Sequence, residues 1–223
     1  MPYARIGTLT IGQTPRPDLI ISLQQRFPDS EIIEVGALDQ LDHSDLPNVS
    51  KTNGNAYLLT TRMRDGSLVH VPESFLIPFM ANGLKKLETK CVKAIFLLCA
   101  GTFAELSSLV PLIKPFVLAH EMLANIGIKN IGIIAPIPEQ VRPIRDRWEA
   151  AGFEVTVWAA DATHPDEPFI AELQAHQKES GFKALVLDYV GHPAEVSQTL
   201  QKKLDIPVID LGEIAVATLA AIL

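Results

Sequence analysis

Cys99 is the residue of this chain best placed to do chemistry. It ends an apolar run, Lys93-Ala94-Ile95-Phe96-Leu97-Leu98, and is followed at once by Ala100-Gly101-Thr102. A buried strand that stops at a small-residue turn puts the sulfur outside the carboxyl end of a sheet, where open α/β proteins bind ligands. There the N–H groups of the turn and the Thr102 hydroxyl can hold a carboxylate beside the sulfur. N–H dipoles also favour the thiolate, the form that attacks an electrophile or takes a proton. The same features fit an inert buried thiol, because cysteine is among the most buried residue types. Cys91 has no such turn after it and reads as structural.

A second segment aligns with this one without a gap. Lys183-Ala184-Leu185-Val186-Leu187-Asp188-Tyr189-Val190-Gly191-His192-Pro193 runs parallel to Lys93 through Phe103, and Tyr189 takes the place of Cys99. A weaker echo joins Arg5-Ile6-Gly7-Thr8, leading into Arg16-Pro17, to Asn130-Ile131-Gly132-Ile133, leading into Arg142-Pro143. Short buried strands resemble one another by chance, but two pairs in the same order point to a duplicated lobe.

Gly101 and Gly191 are the glycines of two equivalent turns, and with Thr102, Asp188 and His192 they are the expected lining of a ligand site. Asp188 closes an otherwise apolar strand, so its charge needs a partner or backbone N–H groups, and organising the loop is its first role. His192 reads either as an acid or base or as an exposed loop residue, and Tyr189 either as a proton or hydrogen-bond donor or as a packed aromatic. Gly12-Gln13-Thr14-Pro15-Arg16-Pro17 follows the first strand and opens a helix, with Thr14 or Asp18 available as its cap. Gly12, Gln13 and Arg16 are candidate substrate contacts there; Arg16 can clamp a carboxylate or form a structural ion pair. Arg62 is a weaker second candidate, because Arg64 and Asp65-Gly66 beside it suggest an exposed hairpin. The loop lacks the glycine and lysine spacing of a nucleotide site, His120 reads as a helix-face residue, and the other histidines (His43, His70, His164, His176) show no ligand spacing. No metal and no cofactor is expected.

The elements needed to position these residues alternate along the chain. Strands are expected at 4–10, 31–35, 57–61, 94–99, 130–135, 154–158, 184–188 and 207–210. Helices are expected at 16–26, 73–88, 117–125, 138–150, 168–179, 194–203 and 213–223. This is the pattern of βαβ units and a mostly parallel sheet. The expected fold is α/β, with two similar lobes, each a mostly parallel sheet flanked by helices, and a cleft between them. Residues 1–114 form the first lobe and 115–210 the second, and the segment 211–223 is expected to return to the first. The chain has 223 residues, 48% hydrophobic and 20% charged, with a net charge of -7, so it offers no basic surface for nucleic acid. No apolar run is long enough to span a bilayer or act as a secretory signal, and a chain with its own core needs no disulfide between its two cysteines. The expected location is the cytoplasm.

Five segments taken together resemble the AroM family, within the wider aspartate/glutamate racemase superfamily. They are Thr10-Ile11-Gly12-Gln13-Thr14-Pro15-Arg16 with Asp18, Gly36-Ala37-Leu38-Asp39, Leu58-Leu59-Thr60-Thr61-Arg62, Leu97 through Phe103, and Leu187 through Gly191. The resemblance implies two facing α/β lobes. In the wider superfamily it also implies a cysteine from each lobe on opposite sides of a small substrate, working without a cofactor. The family's usual second cysteine falls at position 189, where this chain has Tyr189. A phenol with a reference pKa near 10, against about 8.5 for a thiol, is a poor symmetric partner for Cys99, so a two-thiol racemase is disfavoured. One-sided chemistry on a small carboxylate remains, as an isomerase, lyase or decarboxylase with Cys99 as nucleophile or base and Tyr189 as acid. The rival is a non-catalytic protein that senses a small acid. Homodimers occur among proteins of this kind.

Overall fold

After Arg5, every residue of the first strand is buried, as the centre of a parallel sheet requires. The computed structural model describes residues 3–49, 58–162 and 165–223. Within them the order is β1 (Arg5–Thr10), α1 (Pro17–Arg26), β2 (Glu31–Gly36), β3 (Leu58–Arg62), β4 (Leu68–Pro72), α2 (Glu73–Thr89), β5 (Ala94–Leu97) and β6 (Leu112–Ile113). Then follow α3 (Pro115–Asn125), β7 (Asn130–Ala135), α4 (Val141–Ala150), β8 (Glu154–Ala159), α5 (Glu167–Ser180), β9 (Ala184–Leu187), α6 (Ala194–Leu204), β10 (Val208–Asp210) and α7 (Leu211–Ile222). Residues 1–114 with 217–223 form one unit and residues 115–216 the other.

Each unit has its own four-stranded parallel sheet. The first runs β2-β1-β5-β6 and the second β8-β7-β9-β10, so the strand orders coincide when β1 is matched to β7. The match holds residue by residue. Ile6 pairs with Ala94 as Ile131 pairs with Ala184, Ile95 with Leu112 as Leu185 with Val208, and Arg5 with Glu31 as Asn130 with Glu154. Flanking hydrogen bonds repeat too: Leu98 N–H donates to Leu9 C=O at 2.9 Å and Asp188 N–H to Ile134 C=O at 3.1 Å. Counted from these pairs, Cys99 and Tyr189 are equivalent, as are Lys114 and Asp210.

In the first unit Leu9, Leu76, Met80, Leu84, Leu87, Ile95 and Leu97 form the heart of the core. In the second, Leu173, Phe182, Leu185, Leu187 and Leu200 do so. The expected elements are present with small shifts. The strand expected over 94–99 ends at Leu97, with Leu98 still donating to Leu9 and the chain bending at Cys99, and β4 and the two-residue β6 are additional. Tyr57, expected to open β3, lies outside the described residues, as does His164. The hairpin at Asp65-Gly66 is present: β3 and β4 pair antiparallel, Met63 N–H reaches Ser67 C=O at 2.9 Å, and Gly66 takes a φ of 89°. Among the described residues no helix is long and apolar enough to cross a membrane.

Candidate functional site

Cys99 is the second residue past the end of β5, at the carboxyl end of the first sheet. It is half-buried and packs against the first unit's core. Gly101 N–H donates to its Sγ at 3.3 Å, so the turn that the sequence placed after the strand does aim a backbone dipole at the sulfur. Gly101 itself has no room for a side chain, since a Cβ there would lie 2.5 Å from Phe103 Cε2. Thr102 is half-buried between them. Phe103 is fully buried at a φ of 40°, and its main chain is held from two sides. Its N–H donates to Glu73 Oε1 at 3.3 Å, and its carbonyl accepts from Lys114 Nζ at 2.7 Å. Lys114 also donates to Leu106 C=O at 2.8 Å, and burial lowers its pKa. Cys91 is exposed rather than packed, at a φ of 55° just past α2, and neither cysteine forms a disulfide.

The loop after β1 is a structural knot. Gln13 is buried, and its side-chain amide is already engaged: Nε2 donates to Leu38 C=O at 3.0 Å and Leu41 C=O at 2.9 Å, while Oε1 accepts from Arg64 N–H at 2.7 Å. A Cβ on Gly12 would meet Thr61 Oγ1 and lie 2.5 Å from Arg62 C=O, so this glycine admits the β3 strand rather than a ligand. Arg16 is engaged in a local ion pair. It forms a two-pronged pair with Asp18, Nε to Oδ1 at 2.9 Å and Nη2 to Oδ2 at 2.7 Å, which holds the Asp18 carboxyl below its usual range. Neither Thr14 nor Asp18 caps α1; Glu34 Oε2 instead accepts the Arg16 N–H at 2.9 Å. Thr14 is bound to Asp39, which also takes the Gly36 N–H at 2.8 Å, and Arg62 is exposed. Three of the segments that carry the family resemblance therefore meet here as one hydrogen-bonded loop cluster.

In the second unit the partner that Asp188 needed is Arg147, on α4. Arg147 Nη2 lies 2.5 and 2.6 Å from the two Asp188 oxygens, and Trp148 Nε1 donates to Oδ2 at 2.6 Å. Asp188 is buried, with both carboxylate oxygens engaged by Arg147 and Trp148. Sequence reasoning missed Arg147 and Trp148, although Arg147 falls three residues after the buried Ile144, on the same helical face. Tyr189 is half-buried, and its ring meets His192 edge-on at 5.4 Å. Gly191 has a φ of 116°, a conformation that side chains rarely adopt.

His192 is buried, which removes the exposed-loop alternative. Its Nδ1 lies 3.0 Å from Asp210 Oδ2, within ion-pair distance but off the line of a hydrogen bond, so the contact is a charge pairing when the ring is protonated. Asp210 Oδ1 accepts the Glu213 N–H at 2.9 Å, and Ser197 donates to Glu213 Oε2 at 2.8 Å. Burial, with a contribution from Asp210, raises the Glu213 pKa. Asp210, Glu213 and Ser197 had no sequence signal beyond their polarity among apolar neighbours. His120 is on a helix face as expected, edge-on to Phe116 at 5.0 Å, with its pKa lowered by burial. Among the described residues no cluster of three metal-ligating side chains occurs.

Two parallel-sheet units of one strand order, with equivalent strand ends at Cys99 and Tyr189, define an α/β protein with the aspartate/glutamate racemase-like fold. The chain belongs to the AroM family, whose model, described as AroM protein, matches residues 6–223. Among solved structures it is similar to unliganded arylmalonate decarboxylase, with a TM-score of 0.64 and 11% identity over 98% of this chain and 92% of that one. An aspartate racemase homologue from Pyrococcus horikoshii OT3 gives a TM-score of 0.63 and 13% identity over 98% of both chains. A mutant of the Nocardia farcinica maleate cis-trans isomerase with a covalently bound succinylcysteine intermediate gives 0.59 and 15%, over 99% of this chain and 93% of that one. No curated protein matches the chain.

Proposed function

We propose that this AroM-family protein is a cytoplasmic, cofactor-independent enzyme of isomerase or lyase type that acts on a small carboxylate, with Cys99 at the reacting centre. The observation that carries this reading is the Gly101 N–H donated to Cys99 Sγ at the carboxyl end of β5. A thiolate supported in this way can add to an activated carbon or exchange a proton with the carbon next to a carboxylate. In an addition, the S–C bond forms as the substrate π bond breaks. The electron pair moves onto the carboxylate-bearing carbon and is quenched by a proton from an acid. The similar structures support the substrate class: arylmalonate, maleate and aspartate, named for those proteins, are all small carboxylates, and one of those proteins carries a succinylcysteine.

The test is incubation with a panel of aryl malonates, maleate, and amino and hydroxy acids in deuterated buffer, followed by proton NMR. Turnover or solvent deuterium at a substrate carbon, lost in Cys99→Ala, is the expected result. Binding of a carboxylate, seen as a raised melting temperature, with no exchange and no turnover across the panel, overturns the catalytic reading. That outcome would favour a sensor, the reading suggested by a phenol at the second equivalent position.

A further inference from the structure

We infer that Lys114, together with Glu73, is a positioning residue that sets the reactivity of the Cys99 thiol by fixing the main chain of Phe103. This rests on Cys99 being the reacting thiol. The relation is a short mechanical chain. Lys114 Nζ bonds the carbonyls of Phe103 and Leu106 at 2.7 and 2.8 Å, and Glu73 Oε1 takes the Phe103 N–H at 3.3 Å. So clamped, Phe103 holds a φ of 40°, and its ring fills the space that a Cβ on Gly101 would need. Gly101 is the residue whose N–H points at Cys99 Sγ. Moving Phe103 therefore moves a backbone dipole that points at the sulfur. The ammonium is half-buried, with burial lowering its pKa, a desolvation cost that its two carbonyl bonds offset.

The second unit places a charged residue at the same position. Asp210, equivalent to Lys114 by sheet register, reaches the loop after β9 through His192 Nδ1 at 3.0 Å. In both halves the last residue of the short fourth strand, or the one just after it, puts a charged group against the loop that follows the equivalent positions 99 and 189. The chemical means differ: an ammonium on carbonyls in one half, a carboxylate beside an imidazole in the other. Among the described residues the charged groups that bond the loop after Cys99 from neighbouring elements include Glu73 at the start of α2, Lys114 after β6 and, farther along the loop, Glu88 of α2, whose Oε1 accepts from Ser108 and Leu109 at 2.8 Å.

The test is the rate of iodoacetamide alkylation of Cys99 from about pH 5 to pH 10, a range that brackets the thiol reference value. It is measured in a Cys91→Ser background, where Cys99 is the sole thiol. Lys114→Met is expected to move the profile to higher pH and slow alkylation at neutral pH by about five- to tenfold, the loss of thiolate that a shift approaching one unit makes. Lys114→Arg, which keeps the charge and the donors, is expected to restore most of the rate. Should Lys114→Met fail to fold by circular dichroism, Glu73→Ala releases the same main chain from the other side and is expected to move the profile the same way. An unchanged profile in the folded variants overturns the inference. Turnover of the carboxylate panel is scored separately. A profile that moves in a protein without turnover removes the catalytic reading and leaves this one standing.

Discussion

Arg147 and Asp188, the residue before Tyr189, form a buried ion pair. Their side chains are 6% and 1% exposed, and both carboxylate oxygens lie within 2.6 Å of the same guanidinium nitrogen. Removing one member leaves the other charged and buried, which costs about 3–5 kcal/mol. Asp188→Leu and Arg147→Met should each lower the unfolding free energy obtained from urea melts by that amount, and the double variant should recover much of the loss. Additive losses in the double variant would show that the two residues act independently.

Gln13 offers the cleanest separation of structural from ligand-binding roles in the loop after β1. Gln13→Met strips partners from the carbonyls of Leu38 and Leu41 and from the N–H of Arg64. Water reaches part of this region, so the expected destabilisation is about 2 kcal/mol, within the usual cost of unsatisfied groups. The KM for any turned-over carboxylate should stay unchanged. A raised KM with an unchanged melting temperature would return Gln13 to the ligand site.

What the sequence showed and what it hid separate along a physical line. The gapless echo of Lys93–Phe103 in Lys183–Pro193 reappears as identical sheet register, because each strand carries its burial pattern locally. Cys99 was legible for the same reason: strand, turn and thiol are contiguous. The partner of Asp188 was not, since Arg142, Arg145 and Arg147 look alike in the chain and only the face of α4 distinguishes them. Gln13 looked available because the bonds that occupy it come from residues 25 and more positions away. His192 looked exposed because Asp210, which pairs with it, arrives on another strand.

Gly12 tests whether the loop cluster and the hairpin are one unit. A methyl group at this position collides with Thr61 Oγ1 and the Arg62 carbonyl, and backbone cannot yield as a flexible side chain can. Gly12→Ala should cost about 1–3 kcal/mol, the range for overpacking. Amide exchange should quicken at Gln13 N–H, which bonds Arg62 C=O at 3.2 Å. Unchanged protection at Gln13 would mean the loop accommodates the methyl without moving β3.

Glu213 gives the second unit a pH dependence whose sign follows from its surroundings. Burial and the nearby Asp210 raise its pKa, and these outweigh the Ser197 hydrogen bond and His192, which act in the opposite sense. The folded protein therefore holds this proton more tightly than the unfolded chain does. The stability it contributes is fully present below the unfolded carboxylate range and is lost as pH rises through the raised folded value. Glu213→Gln carries no titrating proton yet still offers an amide oxygen to Ser197. Its stability relative to the parent should improve as pH rises from the ordinary carboxylate range toward neutrality. Urea melts of both proteins across that window measure the difference directly, and a difference that stays flat, or grows as pH falls, would show that the Glu213 proton is held no more tightly in the fold than out of it.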